Sequence, residues 1–153
     1  MTKKINISIN GFPVLLEKGK TILEAAEKTG IKIPTLCYHK DLCVAGNCRV
    51  CMVEVVGQKR LSAACATPCE EGMEILTNSL KVRNSRKHII ELLLAEHNAD
   101  CTKCYRNGNC ELQELSSEYK IMTQDFIELV PLKNYTIDRS EEHTSELQSL
   151  SHL

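Results

Sequence analysis

The sequence contains no tryptophan, and its aromatic residues number only four Tyr and two Phe. So few aromatic rings argue against a surface on which nucleic-acid bases stack. The chain also has no excess of one charge, since 19 Lys and Arg stand against 20 Asp and Glu. Neither a nucleic-acid binder nor a membrane-surface binder is therefore expected. Of the 153 residues, 42% are hydrophobic and 25% are charged, which is typical of a globular protein.

Long apolar runs are missing as well. The lysines at positions 3 and 4 are not followed by an apolar stretch of about 7 to 15 residues, so no signal peptide is evident. The longest apolar segment, residues 89–95, is far too short to cross a membrane. We therefore expect a cytoplasmic protein with no direct membrane insertion. No acid–base pair, nucleophile elbow or nucleotide loop is visible, so we expect no catalytic site within this chain.

Cysteine, in contrast, is abundant, with nine in the chain. In a reducing cytoplasm, clustered cysteines are expected to bind metal rather than to form disulfides. The odd number and the missing export signal also argue against a disulfide scaffold.

The N-terminal third has the pattern of a hairpin followed by a helix. Isoleucines alternate with polar residues over 5–9, which predicts a half-buried strand. The Asn-Gly pair at 10–11 predicts a tight turn, with a return strand over 12–16. A capping-box pattern at 21–24 opens a helix, and Gly30 ends it. This order predicts the opening of a β-grasp fold.

The rest of the chain alternates between loops and regular elements. Residues 31–51 are expected to form a long cysteine-rich loop. β-Branched residues predict a strand over 49–56, a return strand over 61–66 and a final strand over 73–77.

Two helices are predicted further on, over 80–96 and 110–119. The apolar side of the first carries Val82, Ile89, Ile90, Leu93 and Leu94. Its outward residues form a basic run of Lys81, Arg83, Arg86 and Lys87. We interpret this run as a solvated face and assign it no partner beyond docking to an acidic protein.

We expect the fold class to be α+β, with a β-grasp ferredoxin-like domain over 1–78 and a small helical cluster-binding module over 79–118. A connector would follow over 119–138. The segment RSEEHTSELQS, which begins at Arg139, looks like the in-frame translation of a sequencing-library adaptor. We therefore expect 139–153 to be a non-native tail that interrupts the natural chain after about Asp138. The alternative is a natural polar tail.

The first group of cysteines predicts an iron–sulfur site. Two residues lie between Cys48 and Cys51 on one tight loop, and Cys65 would return from the following hairpin. The spacing does not decide the fourth ligand. Cys43 matches the plant-type ferredoxin pattern literally, whereas Cys37 leaves a ten-residue gap before Cys48.

A resemblance bears on that choice. The stretches IPTLCYHKDL, GNCRVCMVEV and SAACATPCEEGM resemble the N-terminal [2Fe–2S] domain of iron-only hydrogenases and of the large iron–sulfur subunit of respiratory complex I. The resemblance implies that the ligands are the cysteines at the positions matching that motif: Cys37, Cys48, Cys51 and Cys65. Cys43 and Cys69 would then be spare thiols.

The second group has the spacing His97-x3-Cys101-x2-Cys104-x5-Cys110. A lone histidine after a helix is commonly a C-terminal cap, but here three spaced cysteines follow it. The stretch HNADCTKCYRNGNCELQ resembles the His(Cys)3 [4Fe–4S] motif of the same families. The resemblance implies four cluster ligands, one of them a neutral imidazole that raises the reduction potential, as histidine does in Rieske centres.

Together the two motifs imply an electron-transfer module that carries a [2Fe–2S] and a [4Fe–4S] cluster. The family context implies the N-terminal part of an iron-only, NAD(P)-linked hydrogenase, with complex I large subunits and NAD-linked formate dehydrogenases as alternatives. Its partners would be redox subunits, a ferredoxin or a flavoprotein. A zinc-stabilised interaction module is the alternative from another class, since Cys and His also bind structural zinc.

Overall fold

The computed structural model describes residues 4–97 and 100–121. The predicted connector beyond residue 121 and the predicted tail over 139–153 lie outside the described residues. Within the part described, no helix combines the length and the apolar character needed to cross a membrane.

A mixed five-stranded sheet forms the first half of the molecule, with strand order β2-β1-β5-β3-β4. The strands are β1 Lys4–Ile9, β2 Phe12–Glu17, β3 Met52–Val55, β4 Ser62–Ala63 and β5 Glu74–Leu76. β1 pairs with β5 in parallel, and the other pairs are antiparallel. This confirms the predicted α+β class and the β-grasp ferredoxin-like fold.

The β1–β2 hairpin follows from its alternating pattern. Ile5, Ile7 and Ile9 are buried, because successive side chains in a strand point to opposite faces and all three face the same side. Asn10 and Gly11 both have positive φ, 52° and 86°, as a two-residue type I′ turn requires.

Helix α1, Ile22–Lys28, packs its buried residues into the same core. Its first turn has the predicted capping box: the Glu24 amide donates to the Thr21 hydroxyl at 3.3 Å, and the Thr21 amide donates to the Glu24 carboxylate at 2.8 Å. Gly30 follows in the left-handed conformation, where its amide donates to the Glu27 carbonyl at 3.1 Å.

Strand β3 is shorter than the predicted span of 49–56. Arg49 has a φ of 58°, which breaks the extended backbone, and Val50 packs away from the sheet core in a second apolar cluster. The strand therefore begins at Met52, directly after Cys51.

The second apolar cluster joins the cysteine loop to two helices, α2 Leu80–Ala95 and α3 Glu111–Glu118. Its buried residues are Val50, Ile90 and Leu115. Partly buried neighbours come from both sides and include Leu36, Cys48, Leu112 and Tyr119.

The prediction that Arg86 faces outward with the basic run was wrong. Lys81, Arg83 and Lys87 are exposed, but Arg86 is only 4% exposed. The helical period explains the difference, because Arg86 lies four residues after buried Val82 and four before buried Ile90. It shares the buried stripe of α2.

Candidate metal centres

The first site is built at one end of the β3–β4 hairpin. Cys51 immediately precedes β3 and Cys65 lies two residues after β4, so that antiparallel pairing brings the two together. Their Sγ atoms are 3.4 Å apart, and both residues are buried. The amide of Ala64 donates to the Cys51 carbonyl at 3.1 Å and fixes this end of the hairpin.

The loop before the hairpin supplies two further thiols. The amide of Cys48 donates to Cys37 Sγ across 3.5 Å, although ten residues lie between them. This hydrogen bond lowers the pKa of the Cys37 thiol because it stabilises the thiolate. Burial raises the pKa of Cys65, and the neighbouring thiols of Cys51, Cys37 and Cys48 raise it further. Two contacts are seen among these four cysteines, Cys51 Sγ with Cys65 Sγ and the Cys48 amide with Cys37 Sγ.

Gly46 lets the loop pass close to the hairpin. Its φ of 64° is left-handed, and a Cβ at this position would meet Ala66 Cβ at 4.0 Å. A side chain here would be strained by the backbone rather than blocked by its neighbours. Two residues further on, the Cys48 amide donates to Cys37 Sγ, and hydrogen bonds of this kind raise a cluster's reduction potential.

These four cysteines fit an iron–sulfur cluster. Thiolates are the soft donors that hold such clusters, and here two sulfurs already lie together while a third accepts an amide hydrogen bond. Cys51 and Cys65 are buried, whereas Cys37 and Cys48 are half-buried, and solvent exposure is a further determinant of cluster potential.

The other two cysteines of this region lie elsewhere. Cys43 is on an exposed part of the loop. Cys69 is 3% exposed in the sheet core, where its amide donates to the Lys20 carbonyl at 2.8 Å. Burial raises the pKa of its thiol to about 11, with a smaller contribution from the charge on Glu24.

The second site lies between α2 and α3. His97 follows the end of α2, exposed, and its amide donates to the Leu94 carbonyl at 3.1 Å. Cys101 opens a short 3-10 helix, Cys101–Lys103, and the Cys104 amide closes on its carbonyl at 3.2 Å. Cys110 is the N-cap residue of α3.

Hydrogen bonds hold the loop between the last two of these cysteines. The side chain of Gln113 accepts from the Gly108 amide at 3.0 Å and donates to Asn107 at 3.1 Å. Arg106 donates to the Asn109 carbonyl at 3.1 Å. The loop is thus tied to the first turn of α3, next to Cys110.

Over residues 4–97 and 100–121, no three His, Cys, Asp or Glu side chains form a group able to hold a single metal ion. An iron–sulfur cluster does not require such a group, because its irons are bridged by sulfide and each takes only one or two protein ligands. The residues of the second site, three thiols and one imidazole within a short loop, have the donor chemistry of such a cluster.

Sequence reasoning missed two features near these sites. Arg86 was assigned to the surface, and Val50 was assigned to a strand rather than to the contact with the helices. The spacing of Val82, Arg86 and Ile90, each four residues apart, was the signal that could have placed Arg86 in the buried stripe.

Two family models match the chain. Residues 2–80 match the "2Fe-2S iron-sulfur cluster binding domain", and residues 86–125 match the "NADH-ubiquinone oxidoreductase-G iron-sulfur binding region". The chain is also similar to the crystal structure of an NAD+-reducing [NiFe]-hydrogenase in the H2-reduced state. That structure has a TM-score of 0.76 and 32% identity, over 83% of this chain and 53% of that one.

Curated relatives fall in two groups. The chain is 40% identical over 116 residues to the NADH-ubiquinone oxidoreductase 78 kDa subunit of Candida albicans, which covers 76% of this chain and 16% of the relative. It is 43% identical over 115 residues to the 75 kDa subunit of Reclinomonas americana, covering 75% of this chain and 17% of the relative. It is 44% identical over 122 residues to the NADP-reducing hydrogenase subunit HndD of Solidesulfovibrio fructosivorans, covering 76% and 21%.

The chain thus spans between about a sixth and about a fifth of the length of these relatives, which are subunits of larger oxidoreductases. Its two matched regions carry both expected cofactors, a [2Fe–2S] and a [4Fe–4S] cluster. The chain belongs to the 2Fe-2S iron–sulfur cluster binding domain family and is an electron-transfer iron–sulfur module.

Proposed function

We propose that this chain is the N-terminal electron-relay part of an iron-only, NAD(P)-linked hydrogenase. The observation that carries this proposal is the 44% identity over 122 residues to a subunit of an NADP-reducing hydrogenase. The complex I subunits, at 40% and 43% identity, favour a second candidate, the N-terminal part of a complex I large subunit. In both readings the catalytic site lies outside this chain.

The [2Fe–2S] cluster would be held by Cys37, Cys48, Cys51 and Cys65. The contacts support a division into pairs, with Cys51 and Cys65 on one iron because their sulfurs are 3.4 Å apart. Cys37 and Cys48 would bind the other iron, since the Cys48 amide already donates to Cys37 Sγ. The exposed position of Cys43 supports Cys37 as the fourth ligand.

The [4Fe–4S] cluster would be held by His97, Cys101, Cys104 and Cys110. Support comes from their placement, since all four lie on the connection between α2 and α3, with His97 just after one helix and Cys110 capping the next. Each residue would serve one iron.

When bound, the clusters accept and release single electrons without bond breaking in a substrate. The protein residues orient the ligands, donate hydrogen bonds to sulfur and exclude water, which together set the potentials. The second apolar cluster contains Cys48 from one site and Leu112, close to Cys110, from the other. This packing supports an electron path between neighbouring sites.

We further propose the domain boundaries that the sequence predicts: 1–78, 79–118, a connector over 119–138 and a non-native tail over 139–153. Its partners would be redox subunits, a ferredoxin or a flavoprotein, with no nucleic acid. We place it in the cytoplasm, supported by nine cysteines that form no disulfide, as is typical of a reducing compartment.

Single cysteine variants test the ligand assignment. We expect C37S, purified anaerobically, to lose most of the [2Fe–2S] absorption and the paramagnetic signal of the reduced cluster. C43S is the matched control from the same loop and should retain both. A cluster that survives in C37S and is lost in C43S would exchange the two assignments.

Two further measurements test the class and the parent enzyme. Metal analysis should find iron and acid-labile sulfide in a brown protein, whereas a colourless protein with zinc would contradict the proposal. The genomic codons after Asp138 should continue into a hydrogenase; a complex I continuation would select the second candidate, and codons spelling the adaptor would identify the tail.

A further inference from the structure

Arg86 is a buried cation at the seam between the two halves of the molecule. Its side chain leaves α2 and reaches the backbone of β3, where Nη2 donates to the Met52 carbonyl at 2.7 Å and Nε donates to the same oxygen at 3.2 Å. Met52 follows Cys51 directly. On the other side, Nη1 donates to the hydroxyl of Tyr119 at 3.4 Å, just after α3.

No acidic partner neutralises this guanidinium within residues 4–97 and 100–121. The ion pairs seen there do not include Arg86. Glu91, the buried carboxylate of the same helix, lies 3.7 Å from Lys87 instead. The neutral oxygens of Met52 and Tyr119 accept hydrogen bonds from Arg86 but do not neutralise its charge. A buried charge without a counter-charge destabilises the folded protein.

The thiol site next to Met52 can supply the missing negative charge. The four thiolates carry more negative charge than the oxidised [2Fe–2S] core carries positive charge. The site with its cluster is therefore negative, and reduction adds one more electron. We propose that Arg86 is a positioning residue whose buried charge compensates the [2Fe–2S] cluster and raises its reduction potential. This inference rests on the proposed function, since it requires the cluster at Cys37, Cys48, Cys51 and Cys65.

The physical argument concerns the difference between oxidation states. A fixed positive charge stabilises the more negative, reduced cluster more than the oxidised one. Because Arg86 is only 4% exposed, water and salt screen its charge far less than that of a surface residue. Arginine stays protonated at any working pH, so the effect is permanent rather than switched.

The test compares R86Q with wild type in the cluster-loaded protein, by redox titration followed through the paramagnetic signal of the reduced [2Fe–2S] cluster. We expect the equilibrium constant for one-electron reduction to fall about tenfold, which corresponds to a potential about 59 mV lower. The matched control is R83Q, which removes an exposed charge from the same helix and should change the constant less than about twofold.

A second variant separates charge from hydrogen-bond geometry. R86K keeps a cation but loses the two hydrogen bonds to the Met52 carbonyl. We therefore expect its equilibrium constant for one-electron reduction to stay within about twofold of the wild-type value. Cluster-loaded R86Q with the wild-type potential would overturn the inference while leaving the proposed function intact. Failure of both Arg86 variants to hold a cluster would also overturn it, because Arg86 would then act through folding alone. A wild-type protein without a cluster would instead refute the proposed function.

Discussion

Cys69 illustrates how the position of a thiol, more than its distance in sequence from a ligand, decides its chemistry. It lies four residues after Cys65, yet it is buried among the apolar residues beneath the sheet. The pKa of its thiol is raised to about 11, so the reactive thiolate is scarce at neutral pH.

We therefore expect Cys69 to resist alkylation by iodoacetamide in the folded protein at pH 8, and to react faster as the pH rises towards 11. Two causes act together, a low thiolate fraction and poor access. Mass spectrometry of peptides measures the modification, and exposed Cys43 serves as the internal comparison. Equal labelling of both thiols in the native state at pH 8 would contradict this assignment of Cys69 to the core.

His97 allows a second prediction at this scale. In H97C a thiolate replaces a neutral imidazole, and we expect the [4Fe–4S] cluster to persist with a midpoint potential lower by on the order of 100 mV, because negative charge is added at the cluster. H88Q, at an exposed histidine of α2, is the control and should leave the potential unchanged. An unaltered midpoint in H97C would show that His97 is not a ligand.

Among the elements, those defined by local chemistry could be predicted from the sequence. The Asn-Gly turn and the Thr21–Glu24 capping box require only neighbouring residues, and both are present in the structure. The start of β3 could not be predicted, because Val50 leaves the strand to pack against Ile90 of a distant helix. The buried position of Arg86 likewise depends on a carbonyl 34 residues away.

The capping box gives a prediction for α1. T21A removes the side-chain acceptor of the Glu24 amide and should lower the free energy of unfolding by about 1 kcal/mol. T21S keeps the hydroxyl and is the control. Urea unfolding of the cluster-loaded protein, followed by circular dichroism, measures both. A loss in T21S equal to that in T21A would assign the effect to the methyl group instead of the cap.

Across the whole molecule, the second apolar cluster makes the helices depend on the cysteine loop. Leu36, Cys48 and Val50 come from that loop, while Ile90 and Leu115 come from α2 and α3. The predicted boundary between the two domains therefore falls within a continuous contact surface. Sequence spacing could identify the two ligand groups but not this contact, which depends on tertiary packing.

Removal of the iron–sulfur clusters should therefore disturb more than the ligand loops. We expect amide hydrogen exchange to accelerate over 36–50 and 101–110, and also in α2 near Ile90, because the loop that packs on it loses its anchor. The β1–β2 hairpin packs in the sheet core, outside the second apolar cluster, and should keep its protection. Unchanged exchange in α2 after chelation would indicate that the helices are held independently of the loop.

The parallel pairing of β1 with β5 also constrains when during synthesis this protein can fold. Ser8 is opposite Glu74, a separation of 74 − 8 = 66 residues, and β5 lies between β1 and β3 in the sheet. On the ribosome, the centre of the sheet stays open until β5 has emerged, so every thiol up to Cys69 is translated before the fold can close around it. Metal delivery to the first site would thus coincide with, or follow, synthesis of β5.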